Sequence, residues 1–162
     1  MHMHIRGALI AASLAVVVSG SAIAKSPTAS ALWNGTWQLN LAKSKLSMPA
    51  GQRSETRIYV VRGNTLKLTA TGTDPSGKPT QYSYSGDFNG KPSPMIGNPV
   101  GDNISIRLVN PRRLSITVRM GMVMTAVTRS DISPDGKHMT LLRKTMHDKA
   151  PPAVEVLVFD KK

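Results

Sequence analysis

The sequence predicts an all-β fold, an antiparallel up-and-down barrel of about 8 to 10 strands. Apolar and polar residues alternate along segments such as 65–73, 102–109 and 113–120, which is typical of strands with one buried face. Turn residues, chiefly Gly, Asn, Asp and Pro, separate these segments, and no comparable helical period occurs. Closing the sheet would hide the edges that an open sheet exposes. An open two-sheet sandwich is the alternative fold.

The predicted strands cover, in chain order, 35–41, 55–62, 65–73, 79–86, 102–109, 113–120, 123–132, 138–146 and 153–159. Short turns such as Gly63-Asn64 would connect neighbouring strands as antiparallel hairpins. The stretch 87–101 carries Pro92, Pro94 and Pro99. Because proline cannot donate to a strand ladder, this stretch is predicted to be an irregular lid or crossing loop.

The first 24 residues are predicted to be a cleavable secretory signal. Arg6 supplies a basic start, Ala8 to Val18 forms an apolar run of eleven residues, and Ala22-Ile23-Ala24 fits the cleavage rule. The run is shorter than the roughly 20 apolar residues that a spanning helix needs. Residues 25–31 are then predicted to be a disordered tail and 32–162 a single β-barrel domain, located in the periplasm or secreted.

The charge balance sets the class of partner that we expect. Without Arg6, 20 basic residues stand against 9 acidic ones, a net charge of +11. Such a field attracts anions, and an exported location favours a small amphipathic, anionic ligand or an anionic envelope surface over nucleic acid. The basic residues are scattered, which equally fits a solvated surface of a monomer. The sequence has no Cys, so disulfides and thiolate metal sites are excluded, and no cofactor is expected.

Catalytic motifs are sparse, so the protein is predicted not to be an enzyme. The sequence has no thiol and no Gly-x-Ser-x-Gly elbow, and after the signal only His138 and His147 remain. Hydrolytic and redox sites need a nucleophile with a base, paired carboxylates or a cofactor loop. Most acidic residues lie in or beside turns, where they serve turn geometry.

Three methionines suggest an alternative function in copper handling. Met120, Met122 and Met124 alternate along the chain, and thioether sulfurs bind soft Cu(I). Methionine more often fills irregular gaps in a core, and that explanation is preferred here. A further alternative is a barrel without a pocket that acts as an envelope interaction module.

The candidate ligand-binding residues combine aromatic rings with guanidinium groups. A tyrosine combines an apolar ring with a hydroxyl that can form hydrogen bonds, and an arginine can form a bidentate pair with a carboxylate. If they face into the barrel, the tyrosines would line a pocket with an arginine at the headgroup. The alternation alone leaves open which face Tyr82 and Tyr84 take. The candidates are Tyr59, Tyr82, Tyr84, Arg57, Arg129 and Arg143.

At Gly35-Thr36-Trp37 the chain resembles lipocalins and related calycin barrels, as well as exported bacterial proteins described as lipocalin-like. In that family the glycine lets the first strand bend while the tryptophan plugs the barrel floor. The resemblance therefore implies that Gly35 and Trp37 are structural, whereas Trp33 is expected to tolerate replacement. The family's later arginine, which lies across the tryptophan, has no counterpart in the final strand. The resemblance implies the fold more than the ligand.

Overall fold

The computed structural model describes residues 29–47 and 54–162. Ten strands form a closed antiparallel barrel in which each strand pairs with its neighbours in the chain and the first pairs with the last. The strands are β1 Gly35–Leu39, β2 Ser54–Arg62, β3 Thr65–Thr73, β4 Pro79–Asp87, β5 Asn89–Ile96, β6 Asn103–Asn110, β7 Arg113–Met120, β8 Val123–Ile132, β9 His138–Thr145 and β10 Ala153–Lys161. The predicted all-β, up-and-down barrel is confirmed, and the sandwich alternative is not adopted.

Little helix accompanies the barrel. A single α-helical turn, α1 (Ala29–Trp33), precedes β1, and a 3-10 turn follows it at Leu41–Lys43. The tail predicted to be disordered therefore ends in helix at 29–31, while 25–28 and the predicted signal at 1–24 lie outside the described residues. Across the part of the chain that is described, no helix is long and apolar enough to cross a membrane.

The proline-rich stretch 87–101 does not form the predicted lid. Most of it is β5, which pairs with β6 from Asn89 to Pro94. A strand tolerates proline where its missing N–H has no partner, and β5 pairs with β4 over only two residue pairs, Ser83 with Ile96 and Tyr84 with Met95. Pro92 and Pro94 thus fall where the β4 ladder is incomplete, while Pro99 lies beyond β5, in the turn before β6.

One end of the barrel is closed by two tryptophans that are both fully buried. The indole Nε1 of Trp37 donates to the carbonyl of Trp33 at 3.1 Å, and Nε1 of Trp33 donates to the carbonyl of Pro111 at 3.0 Å. Burial of Trp37 agrees with the resemblance, and the full burial of Trp33 argues against the expectation that Trp33 tolerates replacement. Trp33 is the last residue of α1, and its ring contacts Tyr59 at a centroid distance of 6.1 Å.

A cation does lie across the Trp37 ring, contrary to the sequence expectation. Lys161 in β10 places Nζ 4.9 Å from the centroid of the Trp37 ring, and the same atom donates to the Leu32 carbonyl at 3.0 Å. Its partly buried position lowers the pKa of Lys161. A lysine therefore joins the final strand, the tryptophan plug and α1, in a place where the sequence offers no arginine.

The seam between the first and last strands is short. β1 and β10 pair over three residue pairs, and side chains extend this contact. Asn40 Nδ2 donates to Asp160 Oδ2 at 2.7 Å, while His138 Nδ1 lies 2.7 Å from Asp160 Oδ1. Hydrogen bonds from Asn40 and His138 contribute to a pKa of about 2 for Asp160, so the carboxylate stays charged at neutral pH.

We predict that Trp33→Ala and Trp37→Ala each lower the free energy of unfolding by about 3 to 5 kcal/mol, because each removes a large, fully buried aromatic side chain. Urea denaturation measures both. Ile96→Ala is the control, since Ile96 is 71% exposed and its truncation should cost little. A loss for Trp33→Ala as small as that for Ile96→Ala would contradict the two-tryptophan closure.

Candidate functional site

The end of the barrel opposite α1 is open and contains a cavity of about 510 Å³. Ligand pockets commonly have volumes of about 300 to 1,000 Å³. Loops between β3 and β4, β5 and β6, and β9 and β10 border the cavity, contributing residues such as Pro75, Val100 and His147. Below it, apolar side chains such as Leu66, Leu114 and Met139 fill the barrel. The interior is thus filled at one end and hollow at the other.

A buried polar network forms part of the wall. Glu55, Arg57 and Tyr59 alternate along β2 with exposed or half-buried residues, so all three point inward. Arg57 Nε donates to Glu55 Oε1, and Arg57 Nη1 donates to the Tyr59 hydroxyl at 3.3 Å. From β4, the Tyr82 hydroxyl donates to the same Glu55 Oε1 at 3.1 Å. One carboxylate therefore holds side chains from two strands.

Small residues on β3 make this contact possible, because β3 lies between β2 and β4. Ala70 pairs with Arg57 on one side and with Tyr82 on the other, and Gly72 lies between Glu55 and Thr80 in the same way. A Cβ on Gly72 would lie 2.1 Å from the Ser54 carbonyl oxygen. Glycine is thus required at this position by the close approach of the β2 backbone.

The Glu55–Arg57 pair is almost completely removed from solvent, with Glu55 2% and Arg57 5% exposed. Burial alone would lower the pKa of Arg57, but the charge of Glu55 opposes this and the pKa is raised well above its usual value. Burial also raises the pKa of Tyr82 and of Tyr84, so both phenols remain protonated. Arg57 stands over the Phe159 ring at 4.8 Å from its centroid.

A second ion pair lies nearer the opening. Arg143 Nε and Nη2 both donate to Glu155 Oε2, at 2.9 and 2.6 Å, from directly opposite positions on β9 and β10. Ser47 Oγ donates to Glu155 Oε1 at 2.9 Å. Burial would raise the pKa of Glu155, but the Arg143 charge and these hydrogen bonds lower it. Both carboxylates of the cavity wall that point inward from strands are therefore already paired with arginine.

The structure brings together most, but not all, of the candidate ligand-binding residues. Their burial patterns place Arg57, Tyr59, Tyr82 and Tyr84 inside the barrel, and Arg143 lines the cavity. Arg129 lies on the outer face instead, where its Nε donates to Asp131 at 2.8 Å and its side chain is 57% exposed. Arg129 lies on the outer face because it alternates along β8 with the buried, inward-facing residues.

Sequence reasoning missed the two carboxylates, Glu55 and Glu155. It had assigned acidic residues mainly to turns, yet both lie on strands and face inward. A signal was present, since Glu55 shares its parity with Arg57 and Tyr59 along β2. An inward arginine needs a buried anionic partner, and the residue two positions earlier supplies it.

The three methionines do not occupy the core. Met122 is 96% exposed at the turn between β7 and β8, and Met120 and Met124 are also exposed. The two-residue turn at Gly121 and Met122 places Met120 opposite Val123 and Arg119 opposite Met124. Because directly opposite residues share a face and successive residues do not, Met120 and Met124 lie on opposite faces of the hairpin. The alternation that suggested a joint copper site is broken at this turn.

Other groups in the described ranges do not assemble into a metal site either. Within residues 29–47 and 54–162, no cluster of three or more His, Asp or Glu side chains could hold a metal ion. Exposed apolar residues instead border the open end, among them Ile96, Val100 and Val154. The surface around the cavity is therefore partly apolar.

Comparison with known proteins adds evidence on the fold. No protein-family model matches the chain, and no curated protein matches it by sequence. A solved structure described as EF1p2_mFAP2b bound to DFHBI is similar, with a TM-score of 0.51 at 13% sequence identity. The similarity covers 84% of this chain and 100% of that one. At this identity the likeness shows a shared β-barrel fold alone.

We predict that Arg57→Met destabilises the protein by about 3 to 5 kcal/mol, because it leaves Glu55 buried and uncompensated. The double variant Glu55→Leu/Arg57→Met removes both charges and should recover most of that loss. Urea denaturation of the single and double variants measures the difference. If the double variant were as unstable as the single one, lost packing rather than an unpaired charge would explain the cost.

Proposed function

We propose that this chain is an exported, non-enzymatic barrel protein that binds a small amphipathic molecule in the cavity at its open end. The observation that carries the proposal is the composition of the cavity. Apolar side chains such as Pro75, Pro99 and Val100 stand near the opening, while Glu55 and Tyr82 present polar atoms in the wall. An amphipathic molecule matches such a division, since its tail is buried against the apolar part.

The size and architecture of the cavity support small-molecule binding. A cavity of about 510 Å³ suits one compact ligand and argues against the alternative of a barrel without a pocket. The similar barrel EF1p2_mFAP2b is described as bound to DFHBI, so a related fold holds a ligand. Apolar residues around the opening, such as Ile96 and Val154, would also favour approach by an apolar tail.

The proposal that the protein is not an enzyme is supported by the state of the polar groups. Glu55 is held by Arg57 and Tyr82, and Glu155 by Arg143 and Ser47. Carboxylates that are already engaged by arginine are better suited to fixing the shape of a site than to proton transfer.

We predict that protein recovered outside the cytoplasm begins after Ala24, because Ala22-Ile23-Ala24 is a signal-peptidase site by pattern. Intact mass spectrometry of the exported protein measures the N-terminus. Replacing Ala24 with Pro is the control and should leave the signal uncut. Exported protein that still begins at Met1 would remove the basis for the periplasmic or secreted location.

We predict that affinity for alkyl ligands rises about fourfold with each added methylene, since each one buried contributes about 0.8 kcal/mol. Calorimetry across a series of alcohols from hexanol to decanol measures this. Ala153→Phe, which places a ring in the cavity wall, should abolish binding, whereas Val154→Phe on the outward, exposed neighbour should not. Affinity independent of chain length, or equal loss in both variants, would contradict binding in the cavity.

A further inference from the structure

Two buried polar atoms in the cavity wall have no hydrogen-bond partner among the described residues, Glu55 Oε2 and Thr80 Oγ1. Both residues line the cavity. They flank Gly72 on the two adjacent strands, and glycine puts no side chain between them. A buried carboxylate oxygen without a donor is costly. The wall therefore has an unmet requirement for a hydrogen-bond donor.

Each arginine of the site is already paired with a buried carboxylate, and two of its three guanidinium nitrogens donate within the wall. Arg57 uses Nε on Glu55 and Nη1 on Tyr59, and Arg143 uses Nε and Nη2 on Glu155. The Tyr82 hydroxyl also donates to Glu55. Arg57 Nε, the two Arg143 nitrogens and the Tyr82 hydroxyl would each have to leave a buried carboxylate in order to bind a ligand carboxylate, at the cost of an unpaired charge.

The balance of charge around the cavity points the same way. Three carboxylates line it, those of Glu55, Asp74 and Glu155, whereas Arg143 is its one lining arginine. Arg57, which contacts Glu55 from within the wall, raises the count of arginines to two. These five side chains carry a net charge of −1, three carboxylates against two arginines, although Lys78 lies near Asp74 and the whole chain carries +12. A cationic headgroup is attracted by such a site, and an anionic one is repelled.

We propose that the headgroup recognised in this cavity is a protonated primary amine, which donates to Glu55 Oε2 and to Thr80 Oγ1. This inference rests on the proposed function and names the class of its ligand. An ammonium has three donors and no acceptor, as in a lysine side chain, and can satisfy a carboxylate oxygen and a hydroxyl oxygen together. The alkyl part of the ligand extends toward the apolar residues near the opening, such as Pro99 and Val100.

Calorimetry with decylamine, decanol and decanoate at pH 7 tests the inference with three ligands of equal chain length. An alkylamine is protonated at this pH, as lysine is. We expect decylamine to bind at least tenfold more tightly than decanoate, because a hydrogen bond between charged groups contributes about a factor of ten or more. Decanoate binding as tightly as decylamine, or more tightly, would overturn the inference and leave the proposed function standing. Failure of all three ligands to bind would overturn both.

Variants assign the effect to the two unpartnered atoms. Glu55→Gln should weaken decylamine binding about tenfold or more while changing decanol binding by less than about threefold. Thr80→Val keeps the shape of the side chain and the Glu55–Arg57 pair, and it should weaken decylamine binding by about two- to tenfold. It serves as the test if Glu55→Gln fails to fold.

Asp148→Asn is the matched control for charge. Asp148 is exposed at the same end of the barrel and is not part of the cavity wall, so its replacement removes one negative charge without touching the site. Decylamine affinity should be unchanged in this variant. Equal weakening by Asp148→Asn and Glu55→Gln would show a general attraction to the open end and would overturn recognition by Glu55.

Discussion

The ion pair between Glu55 and Arg57 is the interaction on which the open end of the barrel depends. Both side chains point inward from β2 and are almost fully buried, so neither charge is solvated by bulk water. Removing one partner from such a pair costs far more than removing both. Tyr59 and Tyr82 contact the pair and are fixed by it. The position of this part of the cavity wall thus follows from one ion pair and the two tyrosines that are hydrogen-bonded to it.

The two ends of the barrel differ in how their inward-facing side chains are stabilised. At the closed end, Trp33, Trp37 and Lys161 join α1 to the first and last strands and exclude water. At the open end, the inward positions carry charged and hydroxylated residues, which cannot pack as an apolar core. The charged side chains at this end pair with one another instead of packing against the apolar core below them. The space between them is the cavity.

Much of the fold was predictable because strand parity is visible wherever polarity alternates. β3, β6 and β7 follow from residues such as Leu66 and Leu68, with Lys67 between them facing outward. β5 was missed because its prolines fall where the ladder to β4 is incomplete. Trp33 was missed because a helix of five residues has no detectable period, and its burial depends on the distant carbonyl of Pro111.

The candidate site was only partly predictable for a different reason. Strand parity could place Arg57 and Tyr59 on one face. Whether an inward arginine is free to bind a ligand, however, depends on whether a carboxylate of the protein lies within reach of it. The distance between these groups is set by the register of β2, β3 and β4, in which the small residues Gly72 and Ala70 of β3 allow Glu55 to approach Tyr82. The positive charge of the whole sequence was a poor guide to the cavity, whose lining carboxylates outnumber its arginines.

The most direct test of amine recognition in the cavity is the crystal structure of the protein with 10-bromodecylamine, in which bromine marks the end of the tail by anomalous scattering. We expect the nitrogen within hydrogen-bonding distance of Glu55 Oε2 and the bromine near Pro99 and Val100 at the opening. Bromine on the outer surface, for example at the exposed hairpin around Met122, with the cavity empty of ligand would contradict it.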